Sequence, residues 1–462
     1  MKTGSDPSAV SIPHLRSLVR GRVIGPDDDG YDEARTLVYG GFDQRPAFIV
    51  RVADATDVAS VIGVARETGL ELAIRGGGHS NAGHSSTEGG IVLDLRDLKA
   101  LEIDAEARTA WAETGLTAGE YTAAAAAHGL ATGFGDAGSV GIGGIALGGG
   151  VGFLTRKHGL TIDSLLEAQV VTASGEILRV DEENHPDLFW AIRGGGGNFG
   201  VATRFRFRLH EVGTIVGGML FLPATAEIVA RFIEEAESAP EELTTIANVM
   251  PAPPMPLVPE EAHGKMIIMA MLAYAGDIEA GERAVAPFRA LATPYADMVR
   301  PMSYPEMFLP DDDSYHPTAV ARTMFVDGVD LGVAETIMEN LEASDAPVRV
   351  AQLRVLGGAM ARVPADATAF AHRTSKIMAN VAAFYDGPED KIVREAWVDG
   401  FAEALRQGDD GMYVNFLGDE GEEAVRRAYP GSTWDRLAEI KAGYDPTNLF
   451  RLNQNVPPAD GA

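Results

Sequence analysis

Three consecutive glycines beside a histidine are the first residues whose types and spacing could do chemistry. The run Ile74–Ser80 places Gly76, Gly77 and Gly78 directly before His79, after an apolar segment that predicts a buried strand over 70–74. Because glycine lacks a Cβ, such a turn can adopt positive φ and bring backbone N–H groups close to a ligand. A phosphate group fits this turn, and the His79 imidazole would meet whatever the phosphate belongs to. An ordinary tight turn is the alternative interpretation.

Two further glycine-rich stretches, residues 133–152 and 193–200, are typical of backbone packed against a flat or phosphorylated ligand. Gly195, Gly197 and Gly200 formally match the dinucleotide-binding spacing. However, the residues that follow, 201–209, alternate as a strand, whereas that motif must open a helix. The segment 141–146 fails as well, because no strong helix is predicted after it. The pattern therefore argues against a Rossmann domain.

Composition excludes several kinds of site. The chain has 462 residues, 46% of them hydrophobic, which predicts a globular protein of two or three domains. Its net charge of -29 argues against nucleic-acid or anionic-membrane partners. There are no cysteines, which excludes disulfides, thiolate nucleophiles and a cysteinyl cofactor link. His84 follows His79 closely but has no third ligand nearby, so we expect no metal.

The elements that must position these residues can be read from periodicity. Strands are predicted at 47–52, 91–95 and 110–113, with a hairpin over 167–181. Between the first two strands, a helix begins after Asp54 and ends at Gly69. A second, alanine-rich helix is predicted over 117–127. The first 21 residues contain no apolar run of signal-peptide length, so we expect a cytoplasmic protein.

The glycine clusters vanish after residue 210, and strands predicted at 266–274, 349–356 and 377–384 alternate with amphipathic helices. The proline-rich stretch 251–259 predicts a surface loop or lid. Because the C-terminal residues again have the character of a ligand site, the middle segment is predicted to be inserted into the first domain. The predicted units are 1–210, 211–408 and 409–462.

Four motifs in this order resemble the berberine-bridge-enzyme-like branch of the vanillyl-alcohol-oxidase, or PCMH-type, flavoproteins. The motifs are Arg75–Ser80, the glycine run at 141–152 with its continuation to Leu160, Asp187–Gly200 and Tyr444–Asn455. The resemblance covers residues 35–210 and 410–457. The middle segment, where the substrate is selected, matches only in general character.

The resemblance implies an α+β fold in which a split FAD-binding domain surrounds a substrate domain built on an antiparallel sheet. It also implies that His79 carries a covalent bond to the 8α-methyl group of the flavin. The residues implied to bind the cofactor are Arg75, Gly76, Gly77, Gly78, His79, Ser80, Ser139, Val140, Gly141, Gly144, Gly149, Gly150, Gly152, Val201, Asn453 and Asn455.

The residues at positions 137 and 140 imply, through the resemblance, a type of flavin chemistry. Family members with a second covalent link use a cysteine where this chain has Ala137, so a single link through His79 is expected. Valine at the position of Val140 accompanies reactivity with dioxygen in the family, whereas leucine accompanies its loss. The resemblance therefore favours an oxidase.

Proton removal from the substrate is assigned by resemblance to Tyr413, on a segment that the family forms as a strand. A second tyrosine of the family is replaced here by Phe416, and an ordinary packed tyrosine is the alternative for Tyr413. His372 and Arg373 match a strand that faces the flavin and are candidate substrate ligands. They are also the candidate positive groups that would stabilise a Tyr413 phenolate, with a solvated pair as the alternative.

The implied function is oxidation of a small alcohol, sugar or amine by hydride transfer to flavin N5, with dioxygen reduced to hydrogen peroxide. The expected partners are this substrate and dioxygen, and the expected state is a monomer or homodimer. A dehydrogenase with another acceptor and a non-catalytic flavin carrier stay open as alternatives. A hydrolase is a further alternative, but neither Ser80 nor Ser139 has the spacing of a nucleophile turn.

Overall fold

The computed structural model describes residues 12–254, 258–310, 312 and 314–459. The strands are β1 (Arg22–Ile24), β2 (Phe48–Arg51), β3 (Leu72–Arg75), β4 (Ile91–Asp94), β5 (Leu101–Asp104), β6 (Thr109–Glu113), β7 (Leu130–Ala131), β8 (Leu165–Val171), β9 (Ile177–Val180), β10 (Val201–Arg208), β11 (His210–Glu211), β12 (Thr214–Pro223), β13 (Leu243–Pro251), β14 (Met266–Tyr274), β15 (Ala296–Asp297), β16 (Arg300–Ser303), β17 (Ala319–Val326), β18 (Arg349–Val355) and β19 (Ile377–Phe384).

The α-helices are α1 (Ile12–Leu18), α2 (Tyr31–Arg35), α3 (Ala55–Thr68), α4 (Ala118–Ala126), α5 (Ile142–Gly148), α6 (Thr155–His158), α7 (Pro186–Ile192), α8 (Ala226–Ser238), α9 (Ile278–Arg289), α10 (Leu331–Ala343), α11 (Ala359–Arg362), α12 (Gly387–Ala404), α13 (Glu422–Ala428) and α14 (Ser432–Tyr444). Short 3-10 turns lie at Thr161–Ser164, Glu260–Ala262, Tyr304–Met307 and Val414–Phe416. The predicted loop at 251–259 contains residues 255–257, which lie outside the described residues.

The first sheet carries the first glycine turn. Its strand order is β1-β2-β4-β3, with β4 parallel to both β2 and β3. Helix α3 joins β2 to β3, and its ends confirm the sequence prediction. The Asp54 carboxylate accepts hydrogen bonds from two N–H groups of the first turn, and Gly69 ends the helix at a φ of 68°. Strand β3 therefore delivers the chain directly into Gly76–Gly78.

The second sheet has the order β5-β6-β10-β8-β9 and is antiparallel throughout. Strand β10 follows the third glycine cluster, as predicted, and buries Phe205 and Phe207. The sequence predicts no strong helix after the segment 141–146, and the chain forms the seven-residue helix α5, which begins within that segment at Ile142. Burial of Ile142 and Ala146 in the core offsets the poor helix propensity of the neighbouring glycines.

The third sheet is antiparallel, with the order β15-β12-β14-β13-β18-β19-β17, and β16 pairs with β12. Side chains on one face pack in a single core with α8, α9, α10 and α12. Because side chains alternate along a strand, their neighbours point to the opposite face. Leu353 belongs to the helix-covered core, so Gln352 and Arg354 on either side of it face away from these helices.

All strands of this third sheet come from residues 214–384. The helices and mainly antiparallel sheets confirm the predicted α+β class. The unit boundaries at 210 and 408 stay predictions. Across the described residues, no helix combines the length and the apolar character needed to cross a membrane.

A buried ion pair anchors the C-terminal segment. Lys441 Nζ lies 3.0 Å from Asp445 Oδ2, and both side chains are fully buried. The ammonium also donates to the carbonyl groups of Asn198 and Phe450. Asp445 in turn accepts hydrogen bonds from the N–H groups of Leu449 and Phe450. Together these bonds fix the segment after α14 to the third glycine cluster.

Replacing Lys441 with methionine should destabilise the protein by about 3–5 kcal/mol, because it leaves the Asp445 carboxylate buried without its partner. Hydrogen exchange should report this locally, through faster exchange of the Leu449 and Phe450 amides than in the wild type. The exposed Lys376 provides the matched control, since Lys376→Met should change neither rate. Unchanged exchange at 449–450 in the Lys441→Met variant would contradict the anchoring role.

Candidate active site

A cavity of about 520 Å³ is lined by residues from all three main sheets and the C-terminal segment. This volume is within the usual range for a ligand pocket. One side of the cavity is formed by backbone of the three glycine clusters, and another by Gln352, Arg354 and Asn380 of the third sheet. The residues 413–417 and 450, 452–454 complete it.

The first two glycine clusters touch backbone to backbone beside this cavity. A Cβ on Gly77 would lie 2.3 Å from the Gly141 nitrogen, and a Cβ on Gly141 would lie 2.4 Å from the Gly77 nitrogen. Neither separation is sterically possible, so both positions require glycine. The second cluster is held in place by hydrogen bonds from Ala118 N–H to the Val140 carbonyl and from Ile142 N–H to the Leu116 carbonyl.

Most of the predicted cofactor residues line the cavity. Those that do are Gly76, Gly77, Gly78, His79, Ser80, Val140, Gly141, Gly144, Val201 and Asn453. A Cβ built on Gly144 would meet no atom of the described residues within 4 Å, and the same holds for Gly197. These two glycines therefore border open space that a side chain would fill.

The lining does not include the predicted residue Arg75. Its side chain is fully buried, and the guanidinium donates to the carbonyl groups of Ala34, Arg35 and Ser85. Burial lowers the pKa of Arg75 to about 10. Arg75 therefore ties the start of the glycine turn to α2, a structural role that its place in the motif did not predict.

Ser139, Gly149, Gly150, Gly152 and Asn455 are also absent from the lining that the described residues form. Three of them are packed into the protein. A Cβ on Gly150 would lie 1.9 Å from Thr161 Oγ1, and one on Gly152 would lie 2.3 Å from the Phe134 carbonyl oxygen. Gly149 has a φ of 130° and lies against Phe370. These glycines shape the loop that supports the cavity.

The placement of His372 and Arg373 differs from the prediction. Both are buried in an irregular segment before β19, and neither lines the cavity. Arg373 forms a bidentate ion pair with Asp163, with both N–O distances at 2.8 Å. The His372 ring bonds the Ala428 carbonyl at 3.0 Å. Arg373 Nε has no hydrogen-bond partner among the described residues, but neither side chain belongs to the cavity lining, so the geometry does not support substrate contact.

Tyr413 reaches the cavity with its side chain otherwise buried. Its segment is not the expected strand, because Tyr413 directly precedes a 3-10 turn. The phenolic oxygen accepts hydrogen bonds from the N–H groups of Gly150 and Val151 at 3.0 and 3.2 Å, and from Asn415 Nδ2 at 3.0 Å. Burial raises the pKa of Tyr413, while these donors and the charge of Arg354 act in the opposite direction.

An ion pair that the sequence did not reveal lies at the third-sheet side of the cavity. Arg354 Nη2 is 2.7 Å from Asp136 Oδ2, and the arginine is 4% exposed. Its guanidinium carbon lies 5.1 Å from the centre of the Phe416 ring. The charge of Arg354, a residue that the motifs did not single out, therefore acts to lower the pKa of Tyr413. In the sequence, Gln352 and Arg354 alternate with apolar residues of the same strand. This alternation was the signal that could have identified Arg354 as a residue on the other face of the sheet.

His79 of the first motif and the nearby His84 both line the cavity. The His79 ring lies edge-on to Tyr39, with ring centroids 6.4 Å apart. Burial lowers the pKa of His84, and Asp419 opposes that shift. Among the described residues, no group of three or more His, Cys, Asp or Glu side chains is arranged to hold a metal ion.

Two family models match the chain. The FAD binding domain model covers residues 46–181, and the berberine and berberine like model covers residues 412–457. The two matches lie on either side of the third sheet. The two matches are thus separated in sequence by the strands of the antiparallel sheet, and the prediction that the C-terminal one completes a split FAD-binding domain stays a prediction.

Individual relatives extend the match to nearly the whole chain. The (R)-6-hydroxynicotine oxidase of Paenarthrobacter nicotinovorans is 31% identical over 458 residues, covering 95% of this chain and 97% of that protein. An FAD-linked oxidoreductase of Bacillus subtilis (strain 168) is also 31% identical, covering 95% and 98%.

Solved structures confirm the fold. The crystal structure of 6-hydroxy-D-nicotine oxidase from Arthrobacter nicotinovorans superposes with a TM-score of 0.85 at 28% identity, covering 96% of this chain and 98% of that one. The berberine-bridge-enzyme-like protein 1 of Physcomitrella patens, at 22% identity, covers 98% and 100% with a TM-score of 0.86. This chain therefore belongs to the berberine-bridge-enzyme-like family of PCMH-type, FAD-linked oxidoreductases.

Proposed function

We propose that this protein is an FAD-dependent oxidase that takes hydride from a C–H bond of a small alcohol, sugar or amine and delivers the electrons to dioxygen. The observation that carries the proposal is the cavity, whose lining combines glycine backbone of the segment matched by the FAD binding domain model with polar side chains of the third sheet. A binding surface for a flat cofactor and a polar surface for a substrate thus share one space.

The residues present fit an FAD group. Gly144 and Gly197 border open space, so backbone can approach a ligand there without obstruction by a side chain. Asn453 also lines the cavity, and its buried Oδ1 has no hydrogen-bond partner within the described part of the chain. Bound there, FAD would supply the hydride acceptor and the route to dioxygen. The residues of this chain must hold the cofactor, orient the substrate and manage the proton.

His79 is the proposed site of a single covalent link to the flavin. Its ring lies in the cavity lining at the end of the first glycine turn. The second position used in the family is Ala137, which lines the same cavity and has no group that could form a bond.

Intact-mass measurement of the purified protein should show the polypeptide plus one FAD, and the flavin should stay attached through acid precipitation. His79→Ala should remove the covalent flavin. His84→Ala is the matched control, because His84 lines the same cavity, and this variant should keep the added mass. A wild-type mass equal to that of the bare polypeptide would show that the covalent link is absent.

Val140 is the proposed access point for dioxygen. Its side chain lines the cavity, and its backbone is held by the bond from Ala118 N–H. A small β-branched side chain here leaves room that a longer one would occupy. Since the backbone is fixed, the extra reach of leucine would be directed into the cavity.

The Val140→Leu variant should therefore be reoxidised by dioxygen at least about tenfold more slowly, the change that about 1.4 kcal/mol in the barrier produces. Stopped-flow mixing of reduced protein with aerated buffer measures this step, and hydrogen peroxide is its product. Anaerobic reduction by substrate should be nearly unchanged. Ile145→Leu is the control, because it alters side-chain shape at another cavity position without adding atoms. Equal reoxidation of Val140→Leu and wild type would remove Val140 from this role.

Tyr413 is the proposed proton acceptor for the substrate. Three N–H donors surround its oxygen, and they stabilise the phenolate more strongly than the neutral phenol. Burial nevertheless raises its pKa above the ordinary value of about 10. The protein should therefore hold Tyr413 mainly as the neutral phenol at pH 7, and the active phenolate fraction should grow as the pH rises.

Anaerobic flavin reduction should accelerate about tenfold per pH unit between pH 7 and 9, because both values lie below the Tyr413 pKa. Tyr413→Phe should lower the rate at pH 9 by about 10²–10⁴-fold and flatten the profile, with flavin content unchanged. Tyr39→Phe removes another hydroxyl from the cavity lining and should keep the wild-type profile. A slope that persists in Tyr413→Phe would assign the titration to a different group.

A further inference from the structure

A row of polar side chains crosses the third sheet on the face turned away from its helices. Asn248 of β13 pairs with Gln352 of β18, which pairs with Asn380 of β19, which pairs with Thr323 of β17. Directly opposed residues of antiparallel strands project from the same face. Polar groups are costly to bury unless they form hydrogen bonds, so each polar atom of such a row is expected to have a hydrogen-bond partner.

Most of the row is satisfied by a chain of hydrogen bonds whose direction is fixed. Arg354 donates through Nε and Nη2 to Gln352 Oε1, at 2.9 and 2.7 Å. Gln352 then donates to Asn248 Oδ1 at 2.8 Å, and Asn248 donates to the Met269 carbonyl at 3.1 Å. An arginine can only donate and a carbonyl can only accept, so both amides between them have a single possible orientation.

Two atoms, one on the arginine that begins this network and one on the neighbouring Asn380, have no hydrogen-bond partner among the described residues. They are Arg354 Nη1 and Asn380 Oδ1, and both atoms are buried. Arg354 and Asn380 both line the cavity. A guanidinium held by Asp136, Gln352 and the Phe416 ring cannot turn this nitrogen elsewhere without breaking those contacts. Because Arg354 belongs to the cavity lining, a group bound in the cavity is the candidate partner for Nη1.

The charge of Arg354 is already compensated. Asp136 lies 2.7 Å from Nη2, and it also lines the cavity. An anionic ligand at Nη1 would be repelled by the Asp136 carboxylate, and a cationic ligand would be repelled by the guanidinium. An uncharged oxygen acceptor is repelled by neither group and forms a charge-assisted hydrogen bond with the arginine.

We propose that Arg354 and Asn380 select the substrate, and that this substrate is an uncharged molecule with two neighbouring polar groups. One group is an oxygen that accepts from Arg354 Nη1, and the other is a hydroxyl or N–H group that donates to Asn380 Oδ1. The assignment rests on the proposed oxidation in this cavity and narrows it to neutral diols, sugars and hydroxylated or lactam-type rings, to the exclusion of acids and ammonium compounds.

Matched probes of equal size test the charge requirement. One series is D-glucose, D-glucuronate and D-glucosamine, and the other is cis-1,2-cyclohexanediol, cis-2-hydroxycyclohexanecarboxylate and cis-2-aminocyclohexanol. Anaerobic rapid mixing gives the apparent dissociation constant of each probe, and calorimetric titration checks binding without turnover. At least one neutral probe should bind, about tenfold or more tightly than its charged counterparts. Tighter binding of the charged probes, or no binding by either neutral probe, would overturn the proposal.

Variants test the two residues. Arg354→Gln and Asn380→Ala should each raise the apparent dissociation constant of the neutral probe, by about 10–100-fold for the arginine, as the loss of a hydrogen bond to a charged group implies. Asp136→Asn should improve binding of the carboxylate probe relative to the neutral one, because Arg354 then keeps an uncompensated charge. Thr323→Val removes a hydroxyl of the same row that bonds the Ala379 carbonyl and does not line the cavity, so binding should be unchanged.

Flavin content and reduction by dithionite are measured on every variant. These two measurements distinguish failure of the recognition pair from failure of the proposed oxidase function. A wild-type protein without flavin refutes the oxidase. A flavin-loaded protein whose probe affinity is the same in Arg354→Gln, Asn380→Ala and the wild type refutes only the recognition pair.

Discussion

The contact between Gly77 and Gly141 is the steric constraint on which the rest of the site depends. The turn that follows β3 and the residue that precedes α5 meet so closely that neither position has space for a Cβ. This contact sets the distance between the turn that carries His79 and the run that carries Val140. Both residues line the same cavity because the two turns are in direct contact. The glycines at this point are thus a packing requirement as well as a backbone feature suited to a ligand.

The third sheet packs against helices with one face and contributes to the cavity lining with the other, because side chains alternate along its strands. Leu353 and its neighbours on one face join the core beneath the four helices, while Gln352 and Arg354 on the other face reach the cavity. The link between Arg354 and Asp136 then connects this sheet to the second glycine run. Arg354 is buried and Asp136 is partly exposed, and removing the aspartate would leave the buried charge of Arg354 without its partner.

Local patterns predicted much of this architecture. The glycine turn after β3, the helix between Asp54 and Gly69, and strand β10 follow from residue type and periodicity, and the structure has them. Pairings between distant segments could not be read in this way. Arg373 was expected near the flavin, but its partner Asp163 lies 210 positions away, and only the folded chain brings them together. The same holds for Arg354 and Asp136, which are 218 positions apart.

Within the glycine run from 141 to 152, the motif does not distinguish glycines that line the cavity from glycines that pack against the protein. Gly141 and Gly144 line the cavity, whereas Gly150 and Gly152 are packed against protein atoms. Sequence shows that both groups need backbone without side chains, but it does not show whether a ligand or the protein itself occupies the space. That difference depends on Thr161 and Phe134, whose positions are set by tertiary packing.

The cavity draws its lining from residues as far apart as Tyr39 and Gln454. During translation, the segments that carry the glycine turns leave the ribosome long before the last part of the lining exists. A nascent chain that has not yet reached Phe450 lacks Phe450, Leu452, Asn453 and Gln454 from that lining. Capture of the cofactor in a complete site is therefore an event that follows synthesis of the C-terminal segment. Flavin that meets the chain earlier in synthesis would find only part of the lining.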